Sequence, residues 1–375
     1  MKKIIYADNA ATTKLDIDAF EAMKPYLLSE YGNASQPYSF SRTSKKALTE
    51  AREIIAECIN AKPEEIYFTS GGTESDNWAI KGTALANKKK RIITSEIEHY
   101  AILHRTKAVE QMGCEVVYLK PTREGTITTE ELSKAITEQT GLVSIMLVNN
   151  EIGTIQPIRE LSTIAHNMGA LFHTDAVQAM GHINIDVQEL NIDMLSASAH
   201  KFNGPKGIGF LYIKRGTQIN PYADGGSQES ELRAGTENVA SIVGMAYALK
   251  KNCKKIEENI KKVKLLENDL ITLLNVSNNM NIKKNGGNNT LPGNISLSFK
   301  NQDGETMLHR LDLKGICVST GSACDSKNIK ISHVLKSINL DEEYARGTIR
   351  ISLGKDNTKE DIVLISEAIN NILEK

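Results

Sequence analysis

The chain has 375 residues, 40% of them hydrophobic and 24% charged, the composition of a folded globular protein, and it is longer than one hydrophobic core usually grows, so a large domain with a smaller one is expected. Lys and Arg number 45 against 46 Asp and Glu, a formal net charge of -1, so no global field recommends nucleic acid or a membrane as a partner. Five widely spaced cysteines without a C-x-x-C pair point to reduced thiols in a cytoplasm and argue against a disulfide framework or a zinc site.

The N-terminus reaches Asp8 before any apolar run long enough for a signal peptide, and no later stretch approaches a membrane span. Residues 41–59 place Ala47, Leu48, Ala51, Ile54, Ile55, Cys58 and Ile59 on one face of an amphipathic helix. From about 65 to 213, short apolar runs (66–68, 91–94, 116–119, 142–148, 170–173 and 208–212) alternate with helix-like segments (73–86, 100–112 and 129–138). That alternation predicts a mostly parallel sheet covered on both faces. From 236 to about 274 the spacing predicts one long helix, of the kind that bridges two domains. The segment 275–289 is rich in Asn, Lys and Gly and reads as a loop or boundary. Beyond it, strands at 295–299, 316–318 and 348–351 with helices at 305–313, 332–337 and 359–373 predict a small α/β domain.

Residues with chemistry stand at the ends of these elements. Lys201 closes the run Ser196-Ala197-Ser198-Ala199-His200-Lys201, ahead of Gly204-Pro205 and Gly207. A desolvated lysine at a strand end has the lowered pKa that imine chemistry asks of an amine; taken alone it reads equally as a surface lysine. His173-Thr174-Asp175-Ala176-Val177-Gln178 ends another strand. A carboxylate there suits the pyridine nitrogen of pyridoxal phosphate, keeping it protonated so that the ring draws electrons; a helix N-cap is the other reading of Asp175. Gln178, one helical turn on, is within reach of the ring hydroxyl. Thr69-Ser70-Gly71-Gly72-Thr73 lies between a strand and a helix, where bare backbone N–H groups and the helix dipole favour an anion such as a phosphate; Thr73 is otherwise an N-cap. Cys324, in the small polar run Ser319-Thr320-Gly321-Ser322-Ala323-Cys324-Asp325-Ser326, predicts an exposed nucleophilic thiol, whereas Cys58 belongs to a helix's apolar face and Cys317 to a strand.

Eight strings, Tyr6-Ala7-Asp8-Asn9-Ala10-Ala11-Thr12-Thr13, Gly72-Thr73-Glu74-Ser75-Asp76-Asn77, Glu98-His99, Val148-Asn149-Asn150-Glu151-Ile152-Gly153, His173 to Gln178, Ser198-Ala199-His200-Lys201, Arg233-Ala234-Gly235-Thr236-Glu237-Asn238 and Gly321-Ser322-Ala323-Cys324, resemble in order the cysteine desulfurases of the NifS/IscS kind. These are class V members of the fold-type I, aspartate-aminotransferase-like superfamily. The resemblance implies an α/β transferase dependent on pyridoxal 5'-phosphate. Its large domain would span 14–258, with a mostly parallel sheet flanked by helices, and its smaller α/β domain would combine 1–13 with 259–375 and carry the catalytic cysteine.

By the same resemblance Lys201 holds the cofactor as a Schiff base, Asp175 pairs with the pyridine nitrogen, Gln178 binds the ring oxygen, and His99 stacks on the ring and moves protons. Gly72, Thr73, Ser198 and His200 bind the phosphate, and Thr236 reaches it from the other subunit of a homodimer. Asn150, beside the cofactor, and Arg350 position the substrate carboxylate, Arg350 by a two-pronged hydrogen bond. No metal is implied. The implied reaction takes sulfur from L-cysteine, leaving L-alanine and a persulfide on Cys324, for donation to an acceptor protein such as an iron-sulfur scaffold. Selenocysteine lyase or class V aminotransferase is the alternative activity, and Cys324 in its small-residue run argues against the aminotransferase. Tyr100 stands where the family often has lysine, and Gly32-Asn33-Ala34-Ser35-Gln36 replaces a more usual Asn-Pro-Ser-Ser.

Overall fold

Short apolar runs and amphipathic stretches become strands and helices in alternation in the computed structural model, which describes residues 4–320 and 331–374. In chain order these are β1 (Ile5–Tyr6), α1 (Ile17–Leu28), α2 (Arg42–Ile59), β2 (Ile66–Thr69), α3 (Gly72–Ala86), β3 (Arg91–Ser95) and α4 (Tyr100–Glu110). Then follow β4 (Glu115–Leu119), α5 (Thr129–Ala135), β5 (Thr140–Ser144), α6 (Ile158–Asn167), β6 (Leu171–Asp175), β7 (Met194–Ser198) and β8 (Gly209–Ile213). Seven strands form one sheet in the order β2-β8-β7-β6-β5-β3-β4, all running one way except β8, which opposes both its neighbours. Strands β5, β7 and β8 are buried along their whole length, as they must be under helices on both faces, so they read as apolar or small runs without alternation. Such a sheet leaves a crevice beyond the carboxyl ends of its parallel strands.

The single long helix predicted over 236–274 is instead two, α7 (Val239–Cys253) and α8 (Ile256–Leu273), broken at Lys254–Lys255. Asn252 turns its amide onto the Phe202 and Ala248 carbonyls. The two pieces also serve different cores: Ile242, Met245 and Leu249 pack with the large sheet, Leu266 and Leu270 with a second cluster. A straight rod cannot face both.

The second cluster is built by β9 (Ile282–Lys284), β10 (Asn294–Phe299), α9 (Gly304–Asp312), β11 (Ile316–Cys317), α10 (His333–Ser337), α11 (Glu342–Ala345), β12 (Thr348–Ser352) and α12 (Lys359–Leu373). β12-β10-β9 form an antiparallel sheet, and β1 pairs in parallel with β11, so that Ile5 and Ala7 join Leu297, Ile349 and Ile365 in this core. β9 lies in the stretch that reads as loop. Three residues are too few to show a period.

A buried carboxylate ties the two parts. Asp16 caps α1 by accepting the Asp18 N–H at 3.0 Å, and it also accepts from Lys251 of α7 and from Lys355, just past β12, each at 2.9 Å. Burial alone would raise its pKa, but the Lys355 and Lys251 hydrogen bonds outweigh burial and hold it at about 2. A folded value below the unfolded value of about 4 means stabilisation fully present above that range and lost as pH falls through about 2. Asp16→Asn keeps a capping side chain and removes only the charge. With both lysines partly exposed, the expected loss at neutral pH is on the order of 1 kcal/mol. Urea midpoints should show the gap to the parent narrowing as pH drops from about 5 toward about 3.

Candidate active site

The carboxyl ends of β2, β3, β5, β6 and β7 surround a cavity of about 340 Å³, closed on its far side by Ala10, Ala11, Thr320, His333 and Arg350. At one end β2 turns sharply into α3. Gly71 there has a φ of 148°, which side chains avoid, and a Cβ on Gly72 would lie 2.5 Å from Val177 Cγ2. The glycine pair therefore lets α3 begin against the sheet with its first N–H groups bare, next to Thr73, Ser198 and His200. Burial, reinforced by the Lys201 charge, brings the His200 imidazole down to about 4. Its Nδ1 lies 3.1 Å from Thr12 Oγ1.

Across the middle stand an acid, an imidazole and an amine. Asp175 ends β6, and its Oδ1 accepts the Val177 N–H at 2.9 Å. Turns rather than a helix follow, so the carboxylate organises a turn and caps no helix. Burial raises its pKa, with His99, the Val177 N–H and Lys201 opposing. His99 is the N-cap of α4, its Nδ1 accepting the Ala101 N–H at 3.1 Å. Burial lowers its pKa, Asp175 works the other way, and Lys201 adds to the lowering. The neutral ring therefore carries its proton on Nε2, the nitrogen left over. Lys201 sits on the single turn after β7, with Nζ donating to the Ala10 and Ala11 carbonyls. Gln178 Nε2 donates to the same Ala10 oxygen at 2.9 Å.

Arg350, on β12, enters from the opposite wall. Its Nη1 donates to the Asn150 carbonyl and its Nη2 to Asp8 Oδ1, both at 2.8 Å. Its buried Nε has no partner among the described residues. With five N–H donors in the guanidinium, a planar fork remains for an incoming carboxylate. Beside it Glu151 accepts from Ser332 Oγ. Burial lifts this carboxyl to about 7, with Ser332 and Arg350 opposing.

A family model described as aminotransferase class-V matches residues 5–365. The chain belongs to the class-V aminotransferase family. A protein named cysteine desulfurase IscS from Dictyoglomus turgidum is 49% identical over 378 residues, which span 100% of this chain and 96% of that protein. One of the same name from Methanosarcina thermophila is 47% identical, with 100% and 93% spanned. Among solved structures, a NifS-like protein superposes with a TM-score of 0.93 at 38% identity, covering 99% of this chain and 100% of the other. The structure described as SspA in complex with cysteine gives 0.83 at 36%, covering 96% and 100%.

The class-V family works with pyridoxal 5'-phosphate, and this cavity fits that group. The bare α3 terminus suits its phosphate, the buried Asp175 carboxyl suits a cationic ring nitrogen, and an amine stands in the same wall. Of the residues expected from sequence, Gly72, Thr73, His99, Asn150, Asp175, Gln178, Ser198, His200, Lys201 and Arg350 all line the cavity. Thr236 is not among the lining residues; it lies on the segment that the Arg233–Glu74 pair, at 2.9 Å, ties to the start of α3. Cys324 lies outside the described residues. Asp76, Glu151 and His333 line the cavity without having been expected. His333 bonds the Glu98 carbonyl at 2.9 Å and packs on Tyr100, ring centroids 4.9 Å apart.

Proposed function

We propose that this chain is a pyridoxal-phosphate-dependent cysteine desulfurase with Lys201 and Cys324 as its two covalent residues. The observation that carries the reading is one cavity that gathers an amine, a buried carboxylate, a neutral imidazole and an arginine fork. When bound, pyridoxal phosphate supplies the electron sink that lets an amino acid give up its Cα proton. Lys201 Nζ would hold the cofactor and, as an amine beside the substrate, would move the Cα proton. Asp175 keeps the ring nitrogen cationic. His99, neutral with a proton on Nε2, lines the same cavity and would face the cofactor ring and hand protons to and from the substrate side. The α3 terminus with Gly72, Thr73, Ser198 and His200 binds phosphate, and Gln178 binds the ring oxygen. Asn150 and Arg350 grip the substrate carboxylate. Cys324, as thiolate, attacks the substrate sulfur; the C–S bond breaks, Cys324 keeps the sulfur as a persulfide, and L-alanine leaves after protonation.

Among the described residues no helix is long and apolar enough to cross a membrane. A reducing cytoplasm suits an enzyme whose working group is a thiol. A second copy of the chain would bring Thr236 to the phosphate, and a sulfur-acceptor protein such as an iron-sulfur scaffold would discharge the persulfide. The small domain, 1–13 with 259–375, would carry Arg350 and Cys324 over the cofactor bound by 14–258.

Incubation with L-cysteine and a reductant tests the activity directly: alanine and sulfide should appear in equal amounts, and production of neither sinks the reading. Removing the fork tests the substrate grip. Arg350→Ala should lower kcat/KM by roughly 100-fold, mainly through KM, the scale of losing hydrogen bonds to a charged group. Arg350→Lys, which keeps the charge but not the planar fork, should recover only part of it.

A further inference from the structure

The chemistry needs the Lys201 amine in one place, and the backbone that carries it cannot fix itself. Lys201 ends the single turn Ala199–Lys201 that follows β7. Four residues on stands Pro205, which has no N–H, and the Gly204 N–H is committed to the Ala199 carbonyl at 2.9 Å. The two donors that would continue a helical turn are therefore missing at the Lys201 carbonyl. His182 supplies one from outside, its Nε2 lying 2.9 Å from that oxygen. The carbonyls on either side are served in the same way. His200 accepts from the Thr13 N–H and Oγ1 at 2.9 and 2.8 Å, and Phe202 from Asn252 Nδ2 at 2.7 Å.

The chain that leads to His182 sets it against this turn. Asp175 ends β6, and the Ala179, Met180 and His182 N–H groups then close tight turns on the Ala176 and Ala179 carbonyls at 2.9 to 3.0 Å. Gly181, at a φ of 74°, passes so close to the residue after Lys201 that a Cβ on it would lie 2.9 Å from Phe202 Cβ. A carbonyl only accepts, so the imidazole carries its proton on Nε2. Burial lowers its pKa, the bond to the Lys201 carbonyl works the other way, and the Lys201 and Lys355 charges add to the lowering. The ring lines a cavity of about 50 Å³ with Asn9, Thr13, Asn203, Asn252 and Lys355, and it does not line the larger one that Lys201 enters. Any effect on the chemistry must pass through Lys201.

We infer that His182 is a positioning residue for Lys201, its Nε2–H holding the carbonyl of the lysine so that Nζ reaches the cofactor from one fixed turn. The inference rests on the reading that Lys201 holds pyridoxal phosphate. The segment that begins at Asp175 ends at His182, so one short strut sets the acid expected at the ring nitrogen and clamps the backbone of the amine expected at the other side of the ring. A lysine side chain is long and flexible, and fixing its root reduces the orientations that Nζ must search before the bond forms.

Two measurements test this. In cofactor-free protein near neutral pH, nitrogen NMR of labelled histidine should show, for the ring whose signals vanish in His182→Gln, a proton on Nε2; a proton on Nδ1 alone overturns the assignment. On mixing with pyridoxal phosphate, His182→Ala should form the borohydride-trappable Schiff base about tenfold more slowly than the parent, the scale of one lost hydrogen bond. His182→Gln, whose amide N–H extends about as far, should return the rate to within about threefold of the parent. A glutamine variant as slow as the alanine one overturns the role. In a Lys201→Ala background, where no bond can form, His182→Ala should change the affinity for pyridoxal phosphate by less than about twofold; a tenfold loss there means that His182 shapes the pocket at large and overturns the role as well. Should His182→Ala not fold by circular dichroism, His182→Leu, which fills the space without a donor, takes its place. A parent that forms no Schiff base overturns the reading of Lys201 and this role with it, whereas a parent that forms one no faster than His182→Ala overturns this role alone.

Discussion

Lys201→Ala is expected to give a folded, colourless protein whose release of alanine from cysteine falls by roughly four orders of magnitude or more, the scale on which enzymes lose rate with a covalent group. The amine sits within the cavity at the end of β7, among the very groups that would hold the rest of the cofactor. Those groups remain in the variant, so pyridoxal phosphate should still bind, more weakly and without a covalent link. The fold should tolerate the change. Nζ serves the Ala10 and Ala11 carbonyls, and Ala10 keeps its Gln178 donor, so one acceptor is left short, at a cost on the order of 1 kcal/mol. Lys201→Arg separates charge from chemistry: it restores a cation near both carbonyls but cannot form the bond, and it should be as inactive as the alanine variant. Borohydride reduction of the parent followed by peptide mass measurement should find the cofactor mass on the Lys201 peptide and nowhere else. Full activity in either variant would remove the amine from the mechanism.

Much of this site is legible in the sequence because its chemistry is local. The turn through Gly71 and Gly72, the Asp175 strand end and the Lys201 strand end each pair a period-2 or fully apolar run with a residue type out of place in it, and the parallel sheet then brings all carboxyl ends to one side. Helix α12 reads as clearly, from the Thr358–Asp361 capping box to Ile362, Ile365, Ile369 and Ile372 on one face. What is not legible is what only the tertiary fold assembles. Asp76 stands among Glu74, Ser75 and Asn77, which look like the wet side of a helix, yet the sheet covers it completely. Glu151 and Ser332 are far apart in sequence and meet as a hydrogen-bonded pair in the cavity wall. Arg350 without the resemblance is one charged residue in a strand; only the pairing of β12 with β10 and the contacts to Asn150 and Asp8 give it a direction. The break between α7 and α8 escapes the pattern because both pieces keep the same period and differ only in which core they face.

Cys324→Ser is expected to keep the cofactor and its colour while alanine formation from cysteine drops to the rate of free pyridoxal phosphate. The four described cysteines offer no substitute. Cys58 and Cys253 share an S–H···S hydrogen bond, which together with burial raises the Cys58 thiol. Burial raises Cys114 and Cys317 as well. Only Cys253 is shifted toward thiolate, by its Cys58 donor against burial, and none of the four lines the cavity. Thr320 before Cys324 in the sequence and His333 after it both line that cavity. A hydroxyl in its place keeps the size but is far less nucleophilic toward sulfur than a thiolate. Serine at Cys58, Cys114, Cys253 or Cys317 should cost little activity. After brief exposure to cysteine without reductant, the parent should gain the mass of one sulfur on the Cys324 peptide and the Cys324→Ser protein none. Undiminished alanine release from Cys324→Ser, or an added sulfur on a different cysteine, would move the nucleophile elsewhere.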